Sequence, residues 1–298
     1  ASDVYKRQVM DREKPTHVLV AFDAGNTTFR TAMYSEYKGG RSKTPGEFRE
    51  QMPYLRELLV GLGVKHYELD NYEADDIIGT LAHRAEDEGY EVVVLSGDRD
   101  LTQLATDKIK VDITVKGVSE IESYTPEHVA EKYDGLTPNQ IIDMKGLAGD
   151  TSDNYPGVTK VGEKTAIKLL KQFGSVEGVY ENIDELKKSK MKENLINDKD
   201  QAFLSKELAT IKLDAPVEIS IDDLVYNGKD LDKLIPFFKE MDFKGFLSKL
   251  NVEEEEVELE DIKYEVVTEF SEKMFDADSA LYVEMLEDNY HLSDICLL

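Results

Sequence analysis

The sequence predicts an α/β chain, a parallel-type central sheet flanked by helices, followed by a mainly helical second part. Residues 17–22 (HVLVAF) and 91–95 (EVVVL) are short apolar runs of the kind that form buried strands. Between them, residues 72–88 carry Ile77, Ile78, Leu81, Ala82 and Ala85 at helical spacing and close on Gly89, where a left-handed C-cap belongs. Strand, helix, strand in that order is the crossover pattern of a parallel sheet. After Leu136 the apolar pattern becomes mainly helical.

The remaining elements follow in chain order. Residues 101–105 start a helix, and residues 108–115 and 121–124 read as short strands. Thr125-Pro126-Glu127 and Thr137-Pro138 each open a helix, with proline at the first turn where its missing N–H costs nothing. Residues 1–134 are therefore expected to form the α/β core and residues 135–250 a helical subdomain. Residues 251–261 read as an acidic linker, and residues 262–298 are too few to close a domain of their own.

Composition narrows the class. Hydrophobic residues at 41% and charged residues at 33% match ordinary globular usage rather than disorder. The one cysteine, Cys296, cannot form an internal disulfide, so a cytoplasmic setting is expected. No apolar run approaches the ~18 residues of a membrane span, and the polar start has no signal-peptide core. The net charge of -26 argues at first against a polyanionic partner. However, residues 251–298 hold 16 acidic and 2 basic residues, while residues 26–49 and 157–174 form basic islands.

Acids gather where the ends of parallel strands place ligands. Asp23 ends the first strand, and Asp98 and Asp100 follow the second, on one side if the chain there is extended. Glu73, Asp75 and Asp76 open the helix between them, and Asp150 and Asp153 would share one face of a helical turn. Each cluster alone has a structural reading as a cap or turn. Eight carboxylates converging on one sheet edge would repel unless divalent cations lay between them, and all-oxygen donors suit two or more Mg²⁺ or Mn²⁺. The chemistry that uses such a set is two-metal phosphodiester hydrolysis. An aspartyl phosphatase with Asp98 as nucleophile and Asp100 beside it is the competing enzyme reading, although it leaves the other clusters unexplained.

Residues 157–165 (GVTKVGEKT) lack the lysine directly after the last glycine that a nucleotide-binding loop requires. They read instead as a glycine hairpin between two helices, the second over residues 163–172 and carrying Lys164, Lys168 and Lys171. Backbone N–H groups at such a turn make a phosphate site, and a plain turn with solvated lysines is the alternative. The other basic segment mixes Tyr34, Tyr37 and Phe48 with Arg30, Lys38, Arg41, Lys43 and Arg49, the composition of a surface that tracks single-stranded nucleic acid, or of an exposed loop.

Taken together, five motifs resemble those of the flap-endonuclease superfamily, in the form of the 5'-nuclease region that opens bacterial DNA polymerases I. They are AFDAGNTTFR with YKGGR, YEADDIIGTLA, SGDRDLTQL, KGLAGDTSDNYPGV and GEKTAIKLLKQFGS, and the likeness spans residues 14–250. The resemblance implies a PIN-like nuclease fold followed by a helix-hairpin-helix (H3TH) subdomain. It puts Asp23, Glu73, Asp75, Asp76, Asp98, Asp100, Asp150 and Asp153 at metal-ligand positions, and Lys38 and Arg41 at the catalytic arch. Arg30, Tyr37, Lys43, Gly157, Lys160, Gly162, Lys164, Thr165 and Lys168 fall to DNA binding, with K⁺ at the hairpin.

Implied partners are branched or nicked duplex DNA with a 5' flap, and RNA primers, handled by a nucleoid-associated monomer with no membrane contact. The family opens with a strand ending in Asp-Gly-Asn that has no counterpart here, and residues 262–291 resemble the start of an exonuclease-like domain. The chain is thus expected to be a piece of a longer polymerase. A form that binds DNA without cutting it is the non-enzyme alternative.

Overall fold

The computed structural model describes residues 10–25, 27–41, 45–116 and 120–250. The two apolar runs do form strands, but in separate sheets. Leu19–Ala21 (β1) pairs in parallel with Lys65–Tyr67 (β2), bringing Leu19 opposite Lys65. Val92–Ser96 (β3) pairs in parallel with Ile109–Lys116 (β4), which pairs antiparallel with Glu120–Tyr124 (β5). Between β1 and β2 the chain forms Phe29–Met33 (α1) and the longer Gly46–Gly61 (α2), an element the apolar spacing did not announce.

Ala74–Asp87 (α3) packs against both β1 and β3 and so aligns the ends of the two sheets. Its Ile77 and Leu81 are buried beside Val217 and Ile221, and Gly89 closes it with the left-handed φ of 95° that the sequence calls for. Asp75 and Asp76 in its first turn favour the positive end of the helix dipole.

The helical part follows as Pro126–Lys132 (α4), Gln140–Ala148 (α5), Glu163–Phe173 (α6), Val176–Glu181 (α7), Lys190–Asn197 (α8), Lys199–Ala209 (α9) and Leu231–Glu240 (α10). Thr125 caps α4 by accepting the His128 N–H at 3.3 Å, as its Thr-Pro signature predicts. One apolar cluster takes in Leu101, Ile109 and Tyr124 from the sheet side and Leu136, Ile141, Leu147 and Leu170 from the helices. Each such side chain contributes about 1.5–3 kcal/mol on burial, and packing does not break at residue 134.

The described residues up to Asp242 belong to one compact unit, and a second begins at Phe243, of which Lys244–Lys249 (α11) is described. The expected linker at 251–261, the stretch 262–298 and Lys43 lie outside the described residues. Among the described residues no helix is long and apolar enough to cross a membrane.

Two local expectations are corrected. Residues 99–104 form a 3₁₀ turn, so Asp98 and Asp100 are not on an extended strand; the Asp98 carboxylate caps the turn by accepting the Asp100 N–H at 2.9 Å. Asp150 and Asp153 sit in a tight loop rather than a helical turn. The loop is closed by paired backbone hydrogen bonds between Asp150 and Tyr155, both 3.0 Å. Gly149 and Gly157, at φ 70° and 58°, let its two ends touch. A Cβ on Gly157 would lie 2.1 Å from the Gly149 nitrogen, so neither position accepts a side chain.

Candidate active site

Arg30 organises the site from below. Its side chain, 2% exposed, directs Nη1 and Nη2 to the two Asp76 oxygens at 2.7 Å each and donates to the carbonyls of Leu208 and Thr210 at 3.0 and 2.7 Å. This ties α1, α3 and the end of α9 together. Asp76 also accepts the N–H groups of Glu73 and Lys212, at 3.0 and 2.8 Å. Four donors therefore saturate a fully buried carboxylate, which the structure makes a structural anchor where the sequence reading had a metal ligand. Arg30, expected on nucleic acid, is corrected with it: its donors are spent inside the protein.

The other acids fall into two groups. Asp75 has Asp98, Glu73 and Asp23 as its negative neighbours and Lys38 as its positive one. Asp100 has Lys145, Asp98 and Asp150. The charge of Asp98 thus acts on both. Asp23 is held by accepting the Ala74 N–H at 2.8 Å. Asp150 accepts the Ser152 N–H and Oγ at 2.7 and 2.6 Å through Oδ1, an Asx turn that aims Oδ2 at Lys145.

Cations bridge these acids. Lys38 Nζ lies 2.8 Å from Glu73 and 4.0 Å from Asp153, and Arg41 pairs with Asp153. The Lys38 N–H donates to the Asp153 carbonyl at 2.8 Å, which docks the basic segment on the Asp150 loop. Lys145 bridges Asp100 and Asp150. Tyr37, expected to stack on nucleic acid, is instead buried with its hydroxyl donating to Glu73 and Asp153 at 3.1 and 3.3 Å; burial and those charges push its pKa up. Sequence reasoning passed over Lys145 and Tyr155 as site residues, although Lys145 stands five residues before Asp150.

Burial and the neighbouring carboxylates push Asp75 up to about 7 and, despite Lys145, Asp100 up to about 6. Burial would raise Asp150 too, but Lys145 and Ser152 outweigh it and hold it at about 2. A raised carboxyl pKa stabilises the fold at low pH and loses that stability as pH rises through the folded value. In EDTA, lowering the pH from 8 to 5.5 should therefore stabilise the chain by roughly 1 kcal/mol, about 2–4 °C of melting temperature. Thermal melting of Asp75→Asn should show the trend flattened; an unchanged trend would mean another group drives it.

Among the described residues no three His, Cys, Asp or Glu side chains close on one point as a ready metal cage, and Lys38, Arg41 and Lys145 are paired with acids of the cluster. The donor set nevertheless suits a hard cation. It is all oxygen, crowded enough to raise two carboxyl pKa values, and beside it the buried Tyr155 hydroxyl has no hydrogen-bond partner while facing the charges of Asp100, Asp150, Asp153 and Asp98.

At the hairpin, Lys160 is exposed at φ 61°, Lys164 and Lys168 are exposed on α6, exposed Gly162 caps that helix, and Thr165 is half-buried. Gly157 is a correction: it is buried, and its N–H donates to Ser205 Oγ at 2.9 Å rather than facing outward.

The fold is that of the 5' nucleases, and the family models say which of them the chain belongs with. The chain belongs to the 5'-3' exonuclease family: the model of its N-terminal resolvase-like domain matches residues 5–134 and that of its C-terminal SAM fold matches residues 136–232. The DNA polymerase I of Bacillus subtilis is 58% identical over 288 residues, covering 95% of this chain and 33% of the relative. That of Streptococcus pneumoniae TIGR4 is 54% identical over 287 residues, covering 96% and 32%.

The chain spans about a third of the length of these curated relatives. A zinc-bound T5 5'-exonuclease shares the fold at TM-score 0.60 and 23% identity, over 79% of this chain and 87% of that one. The catalytic core of Rad2 with DNA substrate does so at 0.54 and 18%, over 79% and 77%. The aspartyl-phosphatase alternative falls away with this membership.

Proposed function

We propose that this chain is a Mg²⁺-dependent, structure-specific 5'-nuclease that cuts DNA at the base of a 5' flap and removes RNA primers, as part of a polymerase acting in replication and repair. The observation that carries the reading is the pair of acid groups sharing Asp98, with Lys38 and Arg41 on their rim. Glu73, Asp75, Asp98 and Asp23 would hold one ion, and Asp98, Asp100, Asp150 and Asp153 the other. When bound there, two such ions would supply the Lewis acidity that lowers the pKa of an attacking water and offsets charge on a leaving oxygen.

The chain's own residues do the rest. Tyr37 fixes Glu73 and Asp153 relative to each other. Lys38 and Arg41 supply fixed positive charge beside the scissile phosphate. Lys160, Lys164 and Lys168 hold duplex phosphates without reading sequence, with K⁺ at the same hairpin.

On a 5'-labelled flap duplex, the full chain should cut at the junction in Mg²⁺ and not in EDTA. Cleavage that persists in EDTA would overturn the metal reading. The division of the sheet into two favours one other reading, a form that holds branched DNA without cutting it; a gel shift without cleavage in Mg²⁺ would establish that form instead.

A further inference from the structure

Lys145 occupies a position in the acid constellation that the proposed chemistry does not use. It lies in the last turn of α5 with its side chain 15% exposed, and Nζ contacts Asp100 Oδ1 and Asp150 Oδ2, the latter at 2.6 Å. Both acids carry the same low exposure, so few waters screen the pair. Asp150 Oδ1 is already committed to the Ser152 N–H and hydroxyl and the Asp153 N–H. The oxygen left for a ligand outside the loop is Oδ2, and the ammonium holds it. A divalent cation using Asp150 must meet a positive charge at that atom, in a site where like charges repel far more than in water.

Resting on the two-group metal reading above, we propose that Lys145 is a built-in counter-ion, competing with the divalent cation for Asp100 and Asp150 and setting the concentration at which that group of acids fills. In the metal-free chain it holds the two carboxylates together; when the cation arrives, the ammonium leaves both. Metal binding and release of Lys145 are then one linked equilibrium, and by reciprocity anything that removes the ammonium strengthens the metal.

The test is calorimetric titration of the full chain with Mn²⁺, without DNA. Lys145→Met and Lys145→Gln should bind Mn²⁺ about tenfold more tightly, within the ~5–150-fold range of ordinary binding linkage, while Lys145→Arg stays near the parent value. Adding Asp100→Asn should abolish the gain, which locates the coupling. Folded variants that bind no more tightly than the parent would overturn the inference and leave the metal reading standing; a parent chain that binds no Mn²⁺ would overturn both.

A measurement on the parent chain needs no variant. Amine-reactive labelling followed by mass spectrometry should find Lys145 protected in EDTA and modified more readily with Mg²⁺. Labelling that does not rise would count against the exchange.

Discussion

Replacing Arg30 by methionine is expected to lower the melting temperature by roughly 10 °C, because it strands a buried carboxylate. Removing one partner of a buried, hydrogen-bonded ion pair costs about 3–5 kcal/mol, most of it the penalty of the charge left behind. In a chain of this size each kcal/mol moves the midpoint by about 2–4 °C. Arg30 also satisfies the carbonyls of Leu208 and Thr210, so the substitution orphans acceptors at the end of α9 as well. Adding Asp76→Asn removes the stranded charge and keeps an acceptor for one of the two N–H groups, of Glu73 or Lys212, that the two carboxylate oxygens serve, and should recover part of the loss in thermal melts. A single variant that melts within a degree or two of the parent would mean that Asp76 finds another counter-ion, and would reopen its reading as a metal ligand.

Arg30 also marks the limit of what the sequence carries. Asp23, Glu73, Asp75, Asp76, Asp98 and Asp100 were legible because they sit at a strand end or helix start, where local spacing alone places them, and α3 was legible from one-sided apolar spacing with glycine past the end. α2 was not, because its residues are exposed over most of its length, with only Leu59 and Gly61 buried, so no apolar stripe announces it. The basic segment was read as a surface by composition. Whether a given arginine faces solvent depends on partners such as Asp76, Leu208 and Thr210, 46 to 180 positions away, and a pattern read along the chain contains no such distances.

The same holds for Tyr37, whose ring lies near that of Tyr155 at 6.5 Å and 20°, beneath the acids. Lys145 lay inside a recognised motif, but its role appears only when Asp100 and Asp150 are seen on either side of its ammonium.

Asp98→Asn should separate activity from stability. Asp98 stands in both acid groups, so its loss weakens both at once, and cleavage of a flap duplex in Mg²⁺ should fall by about 10²–10³-fold, the scale of one preorganised electrostatic contact in a dry site. The asparagine oxygen can still accept the Asp100 N–H that caps the 3₁₀ turn, so the local fold should persist. Removing one negative charge from a site where Asp98 raises both Asp75 and Asp100 relieves repulsion. In EDTA the variant should therefore melt higher than the parent, by roughly 1 kcal/mol or about 2–4 °C. It should gain less from Mg²⁺, since a cation that binds the native state stabilises in proportion to its occupancy. Flap binding in EDTA should be retained or tightened, because the duplex contacts assigned to the hairpin lysines are untouched and one charge facing the phosphates is gone. A variant that lost activity and melted below the parent would show that the carboxylate is structural. Higher melting with lost turnover is the trade-off expected of a site whose charges are held together for chemistry.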